Sequence, residues 1–462
     1  MTALHEQSAA ELLALYRRSA ASPVEVARSL LDHVQRWEPH IHALYAFEPE
    51  RVLAQARASE QRWRQGAPLA LDGVPCTLKE NIATAGTPVP LGTAATELVP
   101  AAADAPPAAR LREAGALLLA KTTMPDWGML SSGLSTFHPL TRNPWDLASN
   151  PGGSSAGAAA AAAAGYGPLH LGTDIGGSIR LPAAWCGVFG LKPSLGRIPI
   201  YPPYAGRVAG PMTRRVEDAA LMMTVLTRPD ARDTMSLPWQ DIDWLSLDID
   251  VKGLRLGLWL DAGWGLPVQP ETRAAVAAAA RRFEAAGARV EPVAPFCTRE
   301  MADGMDRFWR MRSWLDYDAL PPARQARVLL YIRQWIARGA TLTGAEVFHG
   351  YSQMGALREA AVAACARFDF VLSPVAPVAR FPAEWASPID DPERPFEHIA
   401  FTLPYNMSEQ PAASVDCGRG ADGAPIGLQI VGRRHDDLGV LRLARAWERL
   451  REPPPPWPAP PA

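Results

Sequence analysis

Hydrophobic positions along the chain fall into two periods, and the switches between them predict its elements. Val24, Leu30, Leu31 and Val34 recur at helical spacing behind Ser22-Pro23-Val24-Glu25, a pattern in which serine caps, glutamate reaches back and proline opens the first turn. An amphipathic helix near 23–37 is predicted. Residues 51–64 and 107–115 keep the same period, and the latter run into Ala116-Leu117-Leu118-Leu119-Ala120, short and apolar enough for a buried strand. A helix feeding a buried strand predicts a layered α/β sheet. The alanine-rich stretch 158–164 reads as helical. The alternation then restarts with a strand from Leu254 to Leu260, a helix near 271–287 and a strand from Ala288 to Val293. Helices near 301–315, 323–338 and 344–366 precede two more strands, Phe368-Asp369-Phe370-Val371-Leu372 and Ile426-Gly427-Leu428-Gln429-Ile430-Val431. The predicted body is a single α/β domain over 1–452 with a helical region near 300–366. Residues 453–462 begin Pro453-Pro454-Pro455-Pro456-Trp457-Pro458, which predicts an extended, solvated and disordered tail.

Composition narrows the class. Among 462 residues, 48% are hydrophobic and 20% charged, ordinary values for a chain that buries a large core. Proline (45) and glycine (36) make up about 18% of it, below the roughly 25–30% at which low complexity becomes the default reading. A net charge of −2 provides no broad basic field, which excludes nucleic acid or an anionic membrane as the main partner. The five cysteines, Cys76, Cys186, Cys297, Cys365 and Cys417, are odd in number, scattered and without a CxxC pair. They fit neither a disulfide framework nor a zinc knuckle, and predict reduced thiols in the cytoplasm. Met1-Thr2-Ala3-Leu4-His5-Glu6 has no basic start leading into an apolar segment, and no run of about 18 apolar residues occurs, so neither secretion nor a membrane span is predicted.

Candidate chemistry emerges by elimination. The nine histidines form no HExxH, and the HxH of His40-Ile41-His42 at a helix end reads as a solvated turn, so no metal is implied. Gly153-Ser154-Ser155-Ala156-Gly157 matches GxSxG in letters, yet Ala148-Ser149-Asn150-Pro151-Gly152 before it is not the apolar strand that a nucleophile elbow requires. Gly172-Thr173-Asp174-Ile175-Gly176-Gly177-Ser178 lacks the lysine of a phosphate-binding loop. Two glycine-flanked serines remain, in Gly152-Gly153-Ser154-Ser155 and Gly176-Gly177-Ser178-Ile179-Arg180, together with Lys79. Singly, each reads first as an ordinary turn or a solvated strand end. Together they are chemically coherent. A serine needs a neighbour to take its proton, and a lysine does this when burial leaves its amine neutral. Glycines before the serine let consecutive N–H groups converge on a developing oxyanion.

These segments also carry a family resemblance. Thr141-Arg142-Asn143-Pro144-Trp145-Asp146, Pro151-Gly152-Gly153-Ser154-Ser155-Ala156-Gly157, Leu171 through Arg180, and Gly187-Val188-Phe189-Gly190-Leu191-Lys192-Pro193 closely resemble the amidase signature family. So do Asp72-Gly73-Val74-Pro75, Lys121-Thr122-Thr123-Met124-Pro125 and Pro425 through Gly432. The likeness spans nearly the whole chain apart from 230–350 and the tail. It implies an α/β fold with a large, mostly parallel or mixed central sheet covered by helices on both faces. It also implies an amidase acting on linear or cyclic amides through a serine acyl-enzyme. Ser178 matches the nucleophile, Ser154 the bridging serine that follows a cis peptide bond, and Lys79 the base. Ile175, Gly176, Gly177 and Ser178 match the oxyanion-hole segment. Ser155, Asp174 and Arg180 are implied as supporting residues, Ser155 by bonding Lys79 and the other two by holding the loop.

Three departures stand out: Ala156 at a usual glycine, Glu80 at a usual aspartate, and Asp126-Trp127 where glutamate and phenylalanine are frequent. The resemblance implies no cofactor and a small-molecule amide as partner, and admits a homodimer. The alternatives are the glutaminase (A) subunit of a tRNA-dependent amidotransferase and a non-catalytic scaffold. Near-neutral charge and the 144–190 stretch favour a free amidase over the first, and intact Lys79, Ser154 and Ser178 disfavour the second. The loop 127–137 and the aromatics Phe308, Trp309, Trp314, Tyr331 and Trp335 are candidate pocket walls, although aromatics so placed are more often ordinary helix packing.

Overall fold

A computed structural model describes residues 3–461. Its strands are β1 (Leu44–Tyr45), β2 (Pro75–Lys79), β3 (Leu117–Thr122), β4 (Leu169–Asp174), β5 (Phe189–Lys192), β6 (Val208–Thr213), β7 (Arg255–Leu258), β8 (Arg289–Pro292), β9 (Phe370–Pro374), β10 (Ala412–Arg419) and β11 (Pro425–Val431). They form one mixed sheet in the order β1-β3-β2-β4-β6-β5-β10-β11-β9-β7-β8. Parallel pairing occupies two wings, β3-β2-β4 and β9-β7-β8. The stretch between them, β4-β6-β5-β10-β11-β9, is antiparallel throughout.

Strand side chains alternate between faces, and both faces are buried. Leu372, Ile430 and Ala413 point into one core cluster with Leu12, Met222, Phe283 and Leu441 of the helices Ala9–Arg17, Val216–Leu226, Pro270–Ala285 and Asp437–Leu450. Their neighbours Val371, Val431 and Ala412 point to the other side, with Trp185, Trp259, Trp309 and Tyr405. Helices therefore cover both faces. The helix Pro23–Ile41 starts as its sequence predicts: Ser22 Oγ accepts from Glu25 N at 3.2 Å, and Ser22 N donates to Glu25 Oε2 at 2.7 Å. It ends at His42, whose φ of 47° closes the last turn.

All nine residues of the helix Ala156–Ala164 are buried. Its alanines and glycine let it lie close to the sheet. A Cβ at Gly157 would fall 2.3 Å from Ala43 O and 2.5 Å from Thr123 N, so only glycine fits there.

Two expectations are corrected. The predicted helix 323–338 is broken into Pro322–Gln325 and Leu330–Ile336, followed by a tighter turn over Ala337–Thr341. Leu329 is extended (φ −51°, ψ 133°), and its N–H donates to Asp126 Oδ2 at 3.1 Å, so a bond to a buried carboxylate replaces a helical one. The proline-rich tail is not simply solvated. Trp457 lies over the Arg214 guanidinium at 4.4 Å and against Trp145 at 5.9 Å, because an indole gains from leaving water and from the cation below it. Among the described residues no helix is long and apolar enough to cross a membrane.

Candidate active site

Parallel strands β2 and β4 are hydrogen-bonded neighbours, so their C-terminal ends open on the same edge of the sheet, where ligands gather in α/β folds. β2 ends in Lys79 and β4 in Asp174. Lys79 is fully buried. Its Nζ lies 2.8 Å from Ser154 Oγ and 3.1 Å from Ser155 Oγ. Burial, reinforced by the Arg207 charge and only partly offset by Asp174 and Glu80, lowers its pKa from 10.5 to about 7.

Ser154 follows a cis peptide bond from Gly153. The approach to it is shaped by Asn150, whose Oδ1 accepts from Gly152 N (2.9 Å) and Gly133 N (3.1 Å). Asn150 Nδ2 donates to Ser132 Oγ (2.7 Å) and Ala383 O (2.8 Å). Gly152 has φ +80°, and a Cβ there would strike the Trp185 ring at 2.3 Å. Ser155 in turn donates to Thr173 O at 3.1 Å, which ties the serine loop to β4.

The second loop is wound around Asp174. Its Oδ1 accepts from Gly177 N (2.8 Å) and its Oδ2 from Ile179 N (3.1 Å). Arg180 clamps both oxygens at 3.0 Å, and Asn406 Nδ2 donates to Oδ1 at 2.9 Å. Burial alone favours the neutral acid, but Arg180 and these donors outweigh it and hold the Asp174 carboxyl well below the usual range. The remaining Arg180 donors go to Asn406 Oδ1 (2.5 Å), Thr402 O (2.9 Å) and Gln429 Oε1 (2.8 Å). Arg180→Met would strand a buried carboxylate, at a typical cost of about 3–5 kcal/mol. A large drop in the urea midpoint is expected, and an unchanged midpoint would remove Arg180 from this supporting role.

Ser155 N donates to Ser178 O at 3.1 Å, so a backbone bond brings the two serine loops together. Ser154 and Ser178 line one cavity of about 540 Å³. Among the described residues the Ser178 hydroxyl makes no hydrogen bond to Ser154 or to any other group. The four expected oxyanion donors are not equivalent. Gly177 N–H is engaged by Asp174, whereas the N–H groups of Ile175, Gly176 and Ser178 have no partner among the described residues.

The departures from the usual pattern find partners. Glu80 Oε2 sits 2.6 Å from His138 Nε2 in the interior. Asp126 accepts from Thr136 N and Oγ1, both at 2.8 Å, while Trp127 joins the cavity wall. Of the aromatic candidates, Trp309, Tyr331 and Trp335 line the cavity, as do Trp127 to Ser131 of the predicted loop; Phe308 and Trp314 do not. Sequence reasoning missed Tyr204, Arg207, Arg312 and His398 in this wall. They lie in segments without a motif, and only folding brings them together. Burial lowers the His398 pKa to about 3, so the ring is neutral.

The profile of the Amidase family matches residues 25–441. The chain belongs to the amidase signature family. It is therefore an amide hydrolase by family. It is 34% identical to an acylamidase of Rhodococcus erythropolis, over 98% of this chain and 96% of that one. It is 35% identical to the A subunit of glutamyl-tRNA(Gln) amidotransferase from Myxococcus xanthus, over 95% and 96%. Among solved structures, a bacterial aryl acylamidase of the amidase signature family superposes with a TM-score of 0.86 at 32% identity, covering 97% of this chain and 96% of that one. The family and the α/β fold with its mixed sheet thus agree with the sequence reading.

Proposed function

We propose that the chain is a free-standing amidase that cleaves a carboxylic amide through an acyl-enzyme on Ser178, with Ser154 as relay and Lys79 as base. The observation that carries this reading is the 2.8 Å contact between a fully buried Lys79 amine and Ser154 Oγ. At a pKa of about 7 much of the amine is neutral at neutral pH, and the same contact then runs from Ser154 O–H to Nζ. Ser154 draws the proton from Ser178 as its oxygen attacks the amide carbon. The carbonyl C–O π pair moves onto oxygen, facing the N–H groups of Ile175, Gly176 and Ser178. Collapse breaks the C–N bond, and the leaving nitrogen takes the proton that returns from Lys79 through Ser154. Water then attacks the Ser178 ester by the same relay and releases the acid.

The names of the acylamidase and aryl acylamidase relatives support an acyl amide or anilide as substrate, as does a wall that includes Trp127, Trp309, Tyr331, Trp335 and Phe396. Release of aniline or ammonia by the purified chain, with no partner protein present, tests this. Activity confined to glutamine and dependent on partner proteins would instead favour the glutaminase reading, which the 35% identity to an amidotransferase component supports. Because protein groups supply every proton transfer, overnight treatment with a zinc chelator is expected to leave the rate unchanged. Loss that zinc restores would overturn this mechanism.

A further inference from the structure

The buried arginines of this protein sit on carboxylates: Arg180 on Asp174 at 3.0 Å, Arg197 on Asp437 at 3.0 Å and Arg310 on Asp306 at 2.6 Å. Two partly buried arginines in the wall of the candidate catalytic cavity have no such partner. Arg207, partly buried just before β6, donates Nη1 to Pro202 O at 3.0 Å. Among the described residues it has no carboxylate within 4.0 Å. Arg312, on the helix Arg299–Asp318, lies over the rings of Tyr204 (4.9 Å) and Trp309 (5.4 Å) and is likewise without an ion pair.

Neither carboxylate of the cavity wall neutralises them by direct contact. Of the two carboxylates in its wall, Asp174 is clamped by Arg180, and Asp316 is exposed and pairs with neither arginine. A guanidinium keeps its charge and presents five N–H donors in a flat fork that matches a carboxylate. Two such forks facing one partly desolvated cavity repel each other, and a bound anion reverses the sign of that interaction.

We propose that Arg207 and Arg312 form an anion subsite within the catalytic cavity, and that the preferred amide carries a carboxylate away from its scissile bond. The aromatic wall takes the apolar body of that substrate, while Arg312 is held in place by stacking on Tyr204 and Trp309. This deepens the amidase reading and rests on it for the word substrate, but the subsite itself is testable by binding alone.

The test is calorimetric titration of the full chain with phenylpropionate and with phenylpropanol, which share an apolar body and differ in charge. The carboxylate is expected to bind about ten- to a hundredfold more tightly, the usual range for a charge-assisted contact. Arg207→Met is expected to remove most of this preference. Arg207→Lys should retain part of it, since a point charge remains without the fork. Should Arg207→Met not fold, Arg312→Met and Arg207→Lys carry the same comparison. Equal or weaker binding of the carboxylate by the unaltered chain overturns the subsite, as does a preference that survives the double change Arg207→Met, Arg312→Met. Turnover of matched neutral anilides is read separately. Hydrolysis without carboxylate preference sinks the subsite alone, and carboxylate preference without any amide hydrolysis sinks the amidase reading alone. In anilides with a carboxylate on either the acyl chain or the ring, a lower KM for one anionic member locates the charge. No such difference in either pair counts against the subsite.

Discussion

Ser178→Ala is expected to lower turnover by roughly six orders of magnitude, the loss seen when a serine nucleophile is removed from a catalytic unit. It is also expected to leave the fold untouched. The Ser178 hydroxyl has no hydrogen-bond partner among the described residues, so deleting it strands no donor or acceptor. The loop around it is held by the Asp174 carboxylate, through Gly177 N and Ile179 N, and not by the serine side chain. The urea midpoint should therefore move by no more than about 0.5 kcal/mol equivalent. Rapid quenching of the unaltered enzyme with a slow aryl amide, followed by peptide mass analysis, should find the acyl group on Ser178. A Ser178→Ala protein that turns over normally, or an acyl group on another residue, would retire the nucleophile assignment.

The second large effect belongs to Lys79→Met, which keeps much of the buried volume and removes the amine. Turnover is expected to fall by about two to four orders of magnitude, the usual share of a general base. The pH dependence gives the sharper test. Only the neutral amine accepts a proton, so kcat/KM of the unaltered enzyme should fall tenfold per pH unit below about 7, where Lys79 protonates. An activity flat down to pH 5 would contradict the base assignment.

The same group makes a stability prediction of opposite origin. Its pKa is about 7 when folded and 10.5 in the unfolded chain, so the unfolded state binds more protons between those values. Stability from this group rises with pH across that window, and its penalty is complete below pH 7. Lys121 and Lys192, both buried and both lowered to about 7 by burial, add slopes of the same sign. The difference between unaltered protein and Lys79→Met isolates one of the three. Denaturant curves at pH 7 and pH 9 should show the gap between the two proteins changing in favour of the unaltered chain at the higher pH.

Much of this is legible in the sequence alone, and for local reasons. The helix Pro23–Ile41 carries its own cap and apolar stripe, and Leu117–Thr122 is apolar enough to declare a buried strand. The central strands were not legible. Val208–Thr213 and Phe189–Lys192 contain glycine, proline or lysine and are only six and four residues long, so their β structure comes from the neighbours they pair with. The break at Leu329 was equally hidden, because it depends on Asp126, about two hundred positions earlier.

The sequence by itself determined the elements that carry their own signals and the family to which those signals belong. It also singled out Lys79, Ser154 and Ser178, since a glycine-flanked serine loop and an isolated lysine keep their chemical identity however the chain folds. Only the tertiary structure decided that Lys79 is dry enough to lose its proton near neutrality and that Gly177 N–H serves Asp174. It alone set Arg207 and Arg312 around one cavity without a carboxylate partner. These are properties of distance and exclusion from water between residues far apart in the chain, and no local pattern of side chains encodes them.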